Sequence, residues 1–509
     1  MKAFSDLFTE EFNTQQEQWE NTLKSELKLT EVTGKTSKMH YDLGSWPTLS
    51  LTALHTRQLS ASTSWKKSAQ TYFTIDRSTI ENSLLDDLAG GARAFFFDKD
   101  FFHEGDWNLI EKVLASSSCS AEIEVFLFGQ GELKTNSSLE IVDEKQMILG
   151  REAQESGGHN VHELALITCK LIESVDHHPS HVGVYVDSHF FKNIAKVRAA
   201  KLLIHKVYKE IGETQLPKII TLNSYREWTL FERYSNMLRN NVQVASGYIA
   251  GADVVQSSGY QLIFDLETSL NQKDHNERSL RMARNTSHIL ALESMLGVVE
   301  DAAAGSFHLE NLSDQYAESA WKLMQVLLAL DPIQRKDYLN TEILKVQEIR
   351  QTRVKTRKDV LAGINDYPDG KELLGISLKK AKAFRVARIF EEIRLQVETL
   401  AQKPKVAMVI QGDISALSNR MNFVKNYFEL IGLEVFETAQ ANLKPHNTIL
   451  VLCAKDEDYL TLGKQHENDH CLAKYVAGKV DLPGFEAIHA GQDVYAVLSQ
   501  LVTKMVGMK

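Results

Sequence analysis

Residues 181–223 read HVGVYVDSHFFKNIAKVRAAKLLIHKVYKEIGETQLPKIITLN, and this stretch predicts the fold class. It contains two apolar runs, VGVYVDS at 182–188 and KIITLNS, which extends over 218–224. The segment between the runs carries apolar residues at the spacing of one helix face. These residues are Ile194, Val197, Ala200, Ile204 and Val207. A strand, a helix and a strand in this order are typical of a βα unit in a parallel sheet.

The same helix also carries charged residues, largely outside its apolar face. They are Lys192, Lys196, Arg198 and Lys201. Since charged side chains on a helix usually face water, we expect this set to be solvated.

The alternation of apolar runs with helix-patterned segments extends from about residue 45 to residue 345. Two further runs, AFFFD at 94–98 and EVFLF at 124–128, precede the opening stretch. Barrels of the (β/α)₈ type typically need about 250 residues. The pattern therefore predicts an α/β fold with a TIM-type (β/α)₈ barrel over residues 45–345.

Helix-type patterns flank this predicted barrel. Residues 1–30 place Phe4, Phe8 and Phe12 at helical spacing, which predicts an N-terminal helical arm, assigned to residues 1–44. Residues 346–403 are rich in Lys, Arg and Glu, which predicts a helical linker between two cores. A basic patch that binds a partner is the alternative interpretation of this linker.

A strand and helix pattern restarts after Pro404. The runs are KVAMVIQ (405–411), GLEVFE (432–437) and TILVLCA (448–454), with a helix-patterned segment after the first of them. This alternation of strand and helix patterns predicts a smaller, flavodoxin-like α/β domain over residues 404–509. Ligands of such domains bind at the carboxyl ends of the strands.

The bulk composition excludes several classes of protein. The 509 residues include 57 Lys and Arg against 67 Asp and Glu, a net charge of −10, so neither nucleic acid nor an anionic membrane is an expected partner. No apolar run reaches the roughly 18 residues of a membrane span. The acidic N-terminus lacks the features of a signal peptide, and we therefore expect a cytoplasmic protein.

The four cysteines are far apart in the sequence. They are Cys119, Cys169, Cys453 and Cys471. Without a CxxC pair they argue against a disulfide framework and a Cys-based zinc site. We expect buried free thiols in a reducing compartment.

Several stretches, in the same order, resemble the methylmalonyl-CoA mutase family. The clearest are FFKNIAKVRAAKLL (190–203), YSNMLRNNVQVASGYIAGAD (234–253), RMARNTSHILALES (281–294), GSFHLENLSDQYAESAW (305–321) and DVLAGINDYPD (359–369). The resemblance implies a barrel threaded by an acyl-CoA thioester and a C-terminal domain that supplies a histidine to cobalamin. It also implies radical chemistry initiated by adenosylcobalamin.

Catalytic chains of that family carry a Tyr-His pair in a segment of the form GYHMQEAGATAVQELAY. The matching segment here is GREAQESGGHNVHELAL (150–166), with Arg151 in place of the tyrosine and Glu152 in place of the histidine. An ionised carboxylate accepts hydrogen bonds and cannot donate one to a thioester carbonyl. We expect Glu152 to form an ion pair with Arg151 or with another neighbour.

The family's cobalt-ligand motif, DxHxxG, is also altered. The chain reads QGDISALSNRM at 411–421, so that Asp413 matches the Asp, Ser415 stands for the ligand histidine and Ser418 for the glycine. A cobalt ligand is therefore missing, and the serine at 418 hinders close approach of the corrin. The resemblance implies a degenerate cobalamin-binding-type domain.

Bulky residues on the predicted strands indicate that the barrel axis is filled rather than open. They are Phe95, Phe96, Phe97, Phe126, Phe128 and Tyr185. Because alternate strand residues face outward, this pattern by itself does not say which of them face the axis.

Two groups of histidines lack the companions of a metal site. Two DxH sequences lie outside the last domain and continue to His181 and Lys192 where the cobalt-ligand motif requires glycine. The groups are His159/His162 and His177/His178/His181, and the DxH sequences are Asp176-x-His178 and Asp187-x-His189. Neither group has a cysteine or carboxylate at zinc-ligand spacing. We expect surface or capping histidines.

The replaced Tyr-His pair, the altered cobalt-ligand motif and the absence of zinc-ligand spacing lead us to assign no catalytic, cofactor-binding or metal residue to this chain. The resemblance implies the small, non-catalytic subunit of a heterodimeric methylmalonyl-CoA mutase whose large subunit binds adenosylcobalamin. Two alternatives stay open. One is an active acyl-CoA mutase chain that works with a separate cobalamin-binding protein, and the other is an assembly or protection factor for a mutase.

Overall fold

A computed structural model describes most of the chain from residue 80 onward and short segments before it. The described residues are 21–22, 25, 37–40, 44–47, 67–72, 80–98, 104–117, 120–128, 139–174, 178–267, 273–299, 301–379, 383–438 and 447–507. They form two compact units. The first comprises Met1–Ser224, Arg239–Gly259 and Lys273–Val346, and the second comprises Tyr225–Leu238, Tyr260–Gln272 and Gln347–Lys509.

The first unit alternates strands with helices. Its strands are β1 Ser37–His40, β2 Gly44–Pro47, β3 Lys67–Tyr72, β4 Ala94–Asp98, β5 Glu124–Phe128, β6 Glu140–Asp143, β7 Met147–Leu149, β8 His181–Val186, β9 Lys218–Asn223 and β10 Val254–Ser257. The helices that begin between residues 80 and 332 are α1 Ile80–Ala89, α2 Glu104–Ala115, α3 Arg151–Glu155, α4 Asn160–Glu173, α5 Phe190–Ile211, α6 Ser235–Ile249, α7 Leu262–Glu267, α8 Lys273–His288, α9 Phe307–Leu328 and α10 Pro332–Lys355. Of these, α7 belongs to the second unit. A π-helix, Ile289–Glu293, follows α8.

Eight parallel strands form the main sheet in the order β6-β5-β4-β3-β10-β9-β8-β7. Strands that follow one another in sequence pair in this order, and β10 pairs with β3. The exception is β6 and β7, which do not pair and are separated by residues 144–146. Such a short link cannot carry the crossover of a dozen or more residues that parallel neighbours require. The α/β class with parallel sheets is confirmed.

The βα unit predicted at 181–223 is present as β8, α5 and β9. The Asn193 side chain fixes the turn into α5, since it accepts a hydrogen bond from Asp187 N at 3.0 Å and donates one to Asp187 O at 2.6 Å. The helix ends at Gly212, whose φ of +77° suits the left-handed C-terminal position that glycine adopts without strain.

The expectation that the charges of α5 are solvated is wrong for three of the four residues. Lys196, Arg198 and Lys201 are all buried. Lys196 Nζ lies 2.5 Å from Glu163 of α4. The Arg198 guanidinium binds Asp301 and lies 2.7 Å from Glu310. The helix is covered on more than its apolar face, and burial of these cations is tolerated because each has a partner.

The second unit contains a five-stranded parallel sheet. Its strands are β11 Lys405–Gln411, β12 Val435–Thr438, β13 Thr448–Ala454, β14 Ala473–Ala477 and β15 Glu486–Ile488, in the order β12-β11-β13-β14-β15. Its further helices are α11 Arg388–Glu398, α12 Ile414–Glu429, α13 Tyr459–Gln465 and α14 Val494–Val506. The strands predicted at 405–411 and 448–454 have the predicted bounds, because long apolar runs fill the centre of a sheet that is covered on both faces.

The segments that flank the predicted barrel differ in part from the expectation. Residues 1–20 of the helical arm lie outside the described residues, and Ser37–His40 is a strand rather than a helix. The helical linker is helical at α10 and α11, whereas residues 356–379 and 383–387 have no helix. Gly363 and Gly375 adopt φ of +81° and +61° in this part, which interrupts any helix. None of the described helices is long and apolar enough to span a membrane.

Candidate functional site

The carboxyl end of β7 carries the segment in which the family resemblance places a Tyr-His pair. β7 ends at Leu149, and Gly150 is the N-cap of the short helix α3, which contains Arg151 and Glu152. A Cβ on Gly150 would lie 2.5 Å from Cγ of Glu163 in α4, so only glycine fits this approach of the two helices. The chain therefore places both substituted residues at the edge of the sheet where parallel α/β folds carry their sites.

Arg151 and Glu152 do not pair with each other. Arg151 donates from Nε to Glu155 at 2.6 Å and from Nη1 to Glu144 at 3.2 Å. Both carboxylate oxygens of Glu152 accept from Lys170 Nζ, at 2.8 and 2.9 Å. The expected ion pair of Glu152 thus forms with Lys170, one of the open alternatives, because α4 brings that amine beside α3. A carboxylate whose two oxygens both accept from an ammonium group does not donate a hydrogen bond.

These ion pairs line an open cleft of about 450 Å³. Its wall includes Glu144, Lys145, Arg151, Glu152, Glu155, Lys170 and Glu173, together with apolar residues of β7. The wall carries four carboxylates and three cations, a net charge of −1, so the cleft has only a small excess of negative charge and no strong preference for an anionic or a cationic ligand.

One face of the main sheet is filled by its own side chains. We call this set the inner cluster, and it consists of Ala94, Phe96, Phe126, Val142, Met147, Leu149, Ile220, Leu222 and Val254, with Phe128 and Tyr185 packed against it. Phe96 and Phe126 are fully buried, and their rings stack with centroids 4.6 Å apart. Side chains from seven strands, β4 to β10, meet in this cluster.

The bulky strand residues identified in the sequence are divided between the two faces of the sheet. Phe96, Phe126, Phe128 and Tyr185 belong to the inner cluster. Phe95 and Phe97 point the other way and pack with Trp107 and other residues of α1 and α2. This division follows from the two-residue period of strand β4.

A buried amide network, missed in the sequence, joins the carboxyl ends of β9 and β10. It consists of Asn223, Asn240, Gln243, Gln256 and Ser258, each at most 5% exposed. Asn223 donates from its side chain to Gln243 at 2.6 Å, accepts from Ser258 at 2.8 Å, and its backbone N–H donates to Gln256 at 2.6 Å. These amides satisfy one another, so this end of the sheet is closed by protein groups.

A signal for the amide network is present in the sequence of α6. Asn236, Asn240 and Gln243 recur at spacings of four and three residues, which places amides along one helix face. Asn236 is also buried, and it bonds Thr229 rather than the network. A polar stripe on a helix with other apolar faces indicates a buried polar contact, although it does not identify the partner.

In the second unit, the residues that replace the cobalt-ligand motif cap a helix. Asp413 is the N-cap of α12, and its carboxylate accepts from Ser415 N at 3.1 Å and from the Ser415 hydroxyl at 2.7 Å. The Ser418 hydroxyl donates to Ser415 O at 3.1 Å. These hydrogen bonds lower the pKa of Asp413 and account for all three residues as an ordinary helix start.

An arginine occupies the crevice beside this helix start, at the carboxyl ends of β11 and β13. Arg420 of α12 donates to the carbonyl of Ala454 and, at 3.1 Å, to the Tyr459 hydroxyl. It also forms an ion pair with Asp456 at 3.0 Å. Because β11 and β13 flank the point where the strand order reverses, this is the place where such sheets bind ligands. In this chain the Arg420 side chain lies in that crevice.

The described histidines of both groups have structural contacts. His159 is the N-cap of α4 and accepts from His162 N at 3.3 Å, with the two rings stacked 3.6 Å apart. His181 is buried against the ring of Phe126, with centroids 5.4 Å apart. His178 is exposed and lies 3.9 Å from Glu213. Asp176 and His177 lie outside the described residues.

His189 belongs to a similar local turn. The Asp187 carboxylate accepts from His189 N at 2.8 Å and lies 3.1 Å from Nδ1 of the same residue. This contact stabilises the chain between β8 and α5.

The described cysteines are free thiols. Cys169 and Cys453 are buried, and Cys471 is partly exposed. Burial raises the pKa of Cys169 and of Cys453 to about 11, so both are protonated and unreactive at neutral pH. Cys119 lies outside the described residues.

Several arginines of the predicted linker make contacts within the second unit. Arg353 bonds Asp359 at 2.6 Å, and Arg385 bonds the buried carboxylate of Glu391 at 2.5 Å. Arg394 donates to backbone carbonyls and lies 3.9 Å from the ring centroid of Phe231. These contacts favour the structural interpretation of this segment over a basic patch for a partner.

Comparisons with known proteins give one consistent result. A family model described as methylmalonyl-CoA mutase matches residues 144–427, more than half of the chain. Similar proteins include the methylmalonyl-CoA mutase small subunits of Porphyromonas gingivalis and Streptomyces virginiae. The first is 26% identical over 54% of this chain and 48% of the relative, and the second 27% identical over 62% and 55%.

A further relative, a methylmalonyl-CoA mutase of Cereibacter sphaeroides, is 27% identical over 48% of this chain and 36% of its own length. The chain therefore spans about half the length, or less, of the curated relatives that it matches. The match to the family model begins just before β7. It includes residues 150–166, where Arg151 and Glu152 lie, together with α5, the amide network and most of α12. This chain belongs to the methylmalonyl-CoA mutase family.

Proposed function

We propose that this chain is the small subunit of a heterodimeric, adenosylcobalamin-dependent methylmalonyl-CoA mutase and is itself catalytically silent. The complex interconverts (R)-methylmalonyl-CoA and succinyl-CoA, and its large subunit binds the cofactor and the substrate. The relatives named as small subunits support this assignment. They match this chain along about half of their length.

The observation that carries the proposal is the inner cluster. In a catalytic chain an acyl-CoA arm runs along the axis of the strands, which needs open space between small side chains. Here the stacked rings of Phe96 and Phe126 are fully buried in that space. Folded proteins pack such interiors without room for a further chain of atoms.

The substituted pair supports the same conclusion. Glu152 is an ionised partner of Lys170, and Arg151 is engaged by Glu144 and Glu155. Neither residue reproduces a tyrosine or histidine that would contact a substrate thioester. We therefore assign the ion pairs at this site to stability and solubility of the chain.

The residues of the second unit do not fit cobalamin. Ser415 offers no imidazole to cobalt, and its hydroxyl is used by Asp413. The guanidinium of Arg420 lies in the crevice where a ligand would bind. We derive no step of the reaction through cobalamin on this chain and assign the cofactor to the large subunit.

We further propose that the main sheet closes as a TIM-type barrel and that the second sheet is flavodoxin-like. The pairing of β10 with β3, which joins the first and last strands of the series, and the inner cluster built by β4 to β10 support the barrel. The order β12-β11-β13-β14-β15 is the order 2-1-3-4-5 of flavodoxin-like sheets. The proposed division is an arm at 1–44, the barrel at 45–345, the linker at 346–403 and the cobalamin-type domain at 404–509, in a cytoplasmic protein.

The decisive experiment measures mutase turnover in the presence of adenosylcobalamin. This chain is assayed alone, with the large mutase subunit of the same organism, and with that subunit after heat denaturation. We expect turnover in the pair and none from this chain alone. Turnover by the isolated chain would contradict catalytic silence, and failure to form a complex would contradict the subunit assignment.

The two alternatives predict other results. An active mutase chain with a separate cobalamin protein would give turnover when that protein is added, although such a chain should retain the Tyr-His pair that Arg151 and Glu152 replace. An assembly or protection factor would be present at less than one copy per large subunit in the purified complex. A constant one-to-one ratio supports the subunit.

A further inference from the structure

The segment between α8 and α9 exposes an unusual number of apolar side chains. Within eleven consecutive residues, 289–299, five large apolar residues are 55% to 67% exposed. They are Ile289, Leu292, Met295, Val298 and Val299. Together they expose on the order of 500 Å², near the upper end for an apolar patch on a monomeric protein. We call residues 289–299 the apolar segment.

The backbone of the apolar segment has an irregular conformation that turns these side chains outward. Residues Ile289–Glu293 form a π-helix, and Met295 adopts a φ of +53° in the left-handed region. Both conformations are rare, and the left-handed one is strained for a residue with a side chain. Such strain is retained where the surrounding structure fixes it, and it clusters at functional surfaces.

Neighbouring residues hold the apolar segment against the first unit. Leu290, Ala291 and Leu296 are partly buried and pack against the buried apolar residues that α4, α5 and α9 share with β8. The amides of Ser294 and Leu296 donate to the carbonyls of Ile289 and Leu290 at 2.8 and 3.1 Å. The exposed side chains are therefore presented from a fixed backbone.

The chain that follows is anchored by buried ion pairs. Asp301 binds the buried guanidinium of Arg198, which lies 2.7 Å from Glu310. Glu310 also accepts from Gly305 N at 3.1 Å. A surface that is held at both ends loses little conformational entropy when a partner binds.

Charge and composition identify the kind of partner. Glu293 is the one charged residue of the apolar segment and is exposed in its middle. A symmetric pair of identical chains would place this segment against itself and bring Glu293 toward its own copy. The net charge of −10 on each chain adds further repulsion. The surface therefore fits a different chain, and its apolar character is that of a permanent interface.

We propose that residues 289–299 dock onto the large methylmalonyl-CoA mutase subunit, an inference that rests on the proposed function. A standard interface buries about 800 Å² on each partner, so the exposed area of the apolar segment supplies more than half of one side. The partner surface opposite it is an apolar depression with a cation or a hydrogen-bond donor near Glu293.

The test is the affinity between this chain and the large subunit of the same organism, measured by isothermal titration calorimetry. Leu292→Glu and, separately, Val298→Glu place a charge at the interface. We expect each to weaken binding at least tenfold, because these residues are central apolar contacts. Leu460→Glu, at a residue of the second unit that is 62% exposed, is the matched control and should bind as the unsubstituted chain does.

Each outcome separates this inference from the proposed function. If the unsubstituted chain does not bind the large subunit, the proposed function fails. If it binds and both Leu292→Glu and Val298→Glu bind equally well, the docking surface is wrong and the function stands. If the chain alone sedimented as a dimer that Leu292→Glu dissociates, the occupant would be a second copy and the proposal would be overturned. Thermal unfolding verifies that each variant is folded, and the exposure of both side chains predicts unchanged midpoints.

Discussion

Lys218, the first residue of β9, places its Nζ 2.5 Å from a carboxylate oxygen of Glu124, the first residue of β5. These strands are not neighbours, since β4, β3 and β10 lie between them in the sheet order. The ion pair therefore connects the amino ends of distant strands and crosses the end of the inner cluster. Glu124 is fully buried, whereas the Lys218 side chain is 43% exposed. The amine is therefore one cation that compensates the buried carboxylate.

Lys218→Met should lower the free energy of unfolding by about 2 kcal/mol, because it removes a cation that lies 2.5 Å from a buried carboxylate. Urea denaturation at pH 7 measures the change. Lys345→Met is the control, since the pair of Lys345 with Glu342 is exposed and is worth less than about 0.5 kcal/mol. A loss below about 1 kcal/mol for Lys218→Met would show that Glu124 does not rely on the pair.

The same pair predicts a pH dependence. Burial lowers the pKa of Lys218, but the hydrogen bond and the charge of Glu124 outweigh burial and raise that pKa above the ordinary value. The stability that the pair supplies is then complete below the ordinary lysine pKa of about 10.4 and is lost as the pH rises through the higher folded-state value. The difference in unfolding free energy between the unsubstituted chain and Lys218→Met should stay constant from pH 7 to about pH 10 and shrink above it. A difference that already falls below pH 9 would contradict the raised pKa.

Phe126→Ala should lower the free energy of unfolding by about 3–5 kcal/mol, since it removes a fully buried ring that stacks on Phe96. Chemical denaturation measures the loss. Phe191→Ala, at a ring that is 57% exposed, is the matched control, with an expected change below about 1 kcal/mol. Equal losses for the two variants would mean that the inner cluster is not closely packed.

Glu152→Gln should leave the turnover of the complex within twofold of the unsubstituted pair. The carboxylate is 62% exposed and its role is an ion pair with Lys170, so the expected change in stability is less than about 1 kcal/mol. Steady-state assay of the coexpressed complex measures turnover. A decrease of tenfold or more, with the complex still assembled, would assign a catalytic role to Glu152.

Ser415→His combined with Ser418→Gly restores the residues of a cobalt-ligand motif, and we expect no retention of cobalamin by this variant. Arg420 still occupies the crevice through its contacts with Ala454 and Asp456. The corrin absorbance of the protein after gel filtration measures retention, with the large subunit as the positive control. Stoichiometric corrin on the double variant would show that the missing histidine alone explains the loss.

Parts of the candidate site could be predicted because they depend on residue identity. An arginine and a glutamate at 151 and 152 exclude a Tyr-His pair wherever the chain places them. The partner of Glu152 could not be derived, since Lys170 is eighteen residues away and is brought near by the packing of α4 against α3. The amide network was missed for a similar reason, because amides in α6 become a network only when β9 and β10 end beside them.

The helix α5 shows where periodicity fails. Its apolar stripe gave the correct helix, but Lys196, Arg198 and Lys201 are buried as well. A sequence pattern reflects the preference of each residue for water. It contains no information about a carboxylate that another part of the fold places nearby. Glu163, Asp301 and Glu310 supply that compensation here.

The alternation of strands and helices, the family and the substitutions at positions 151, 152, 415 and 418 follow from the sequence, because they depend on local apolar runs and on which side chain stands at a position. Tertiary structure alone decided which aromatic residues fill the sheet interior, which charges are paired and which apolar segment is left uncovered. A strand has two faces and a helix several, and the neighbour that packs against each face is chosen by contacts between residues far apart in the chain. The free energy of those contacts is therefore a property of the folded arrangement.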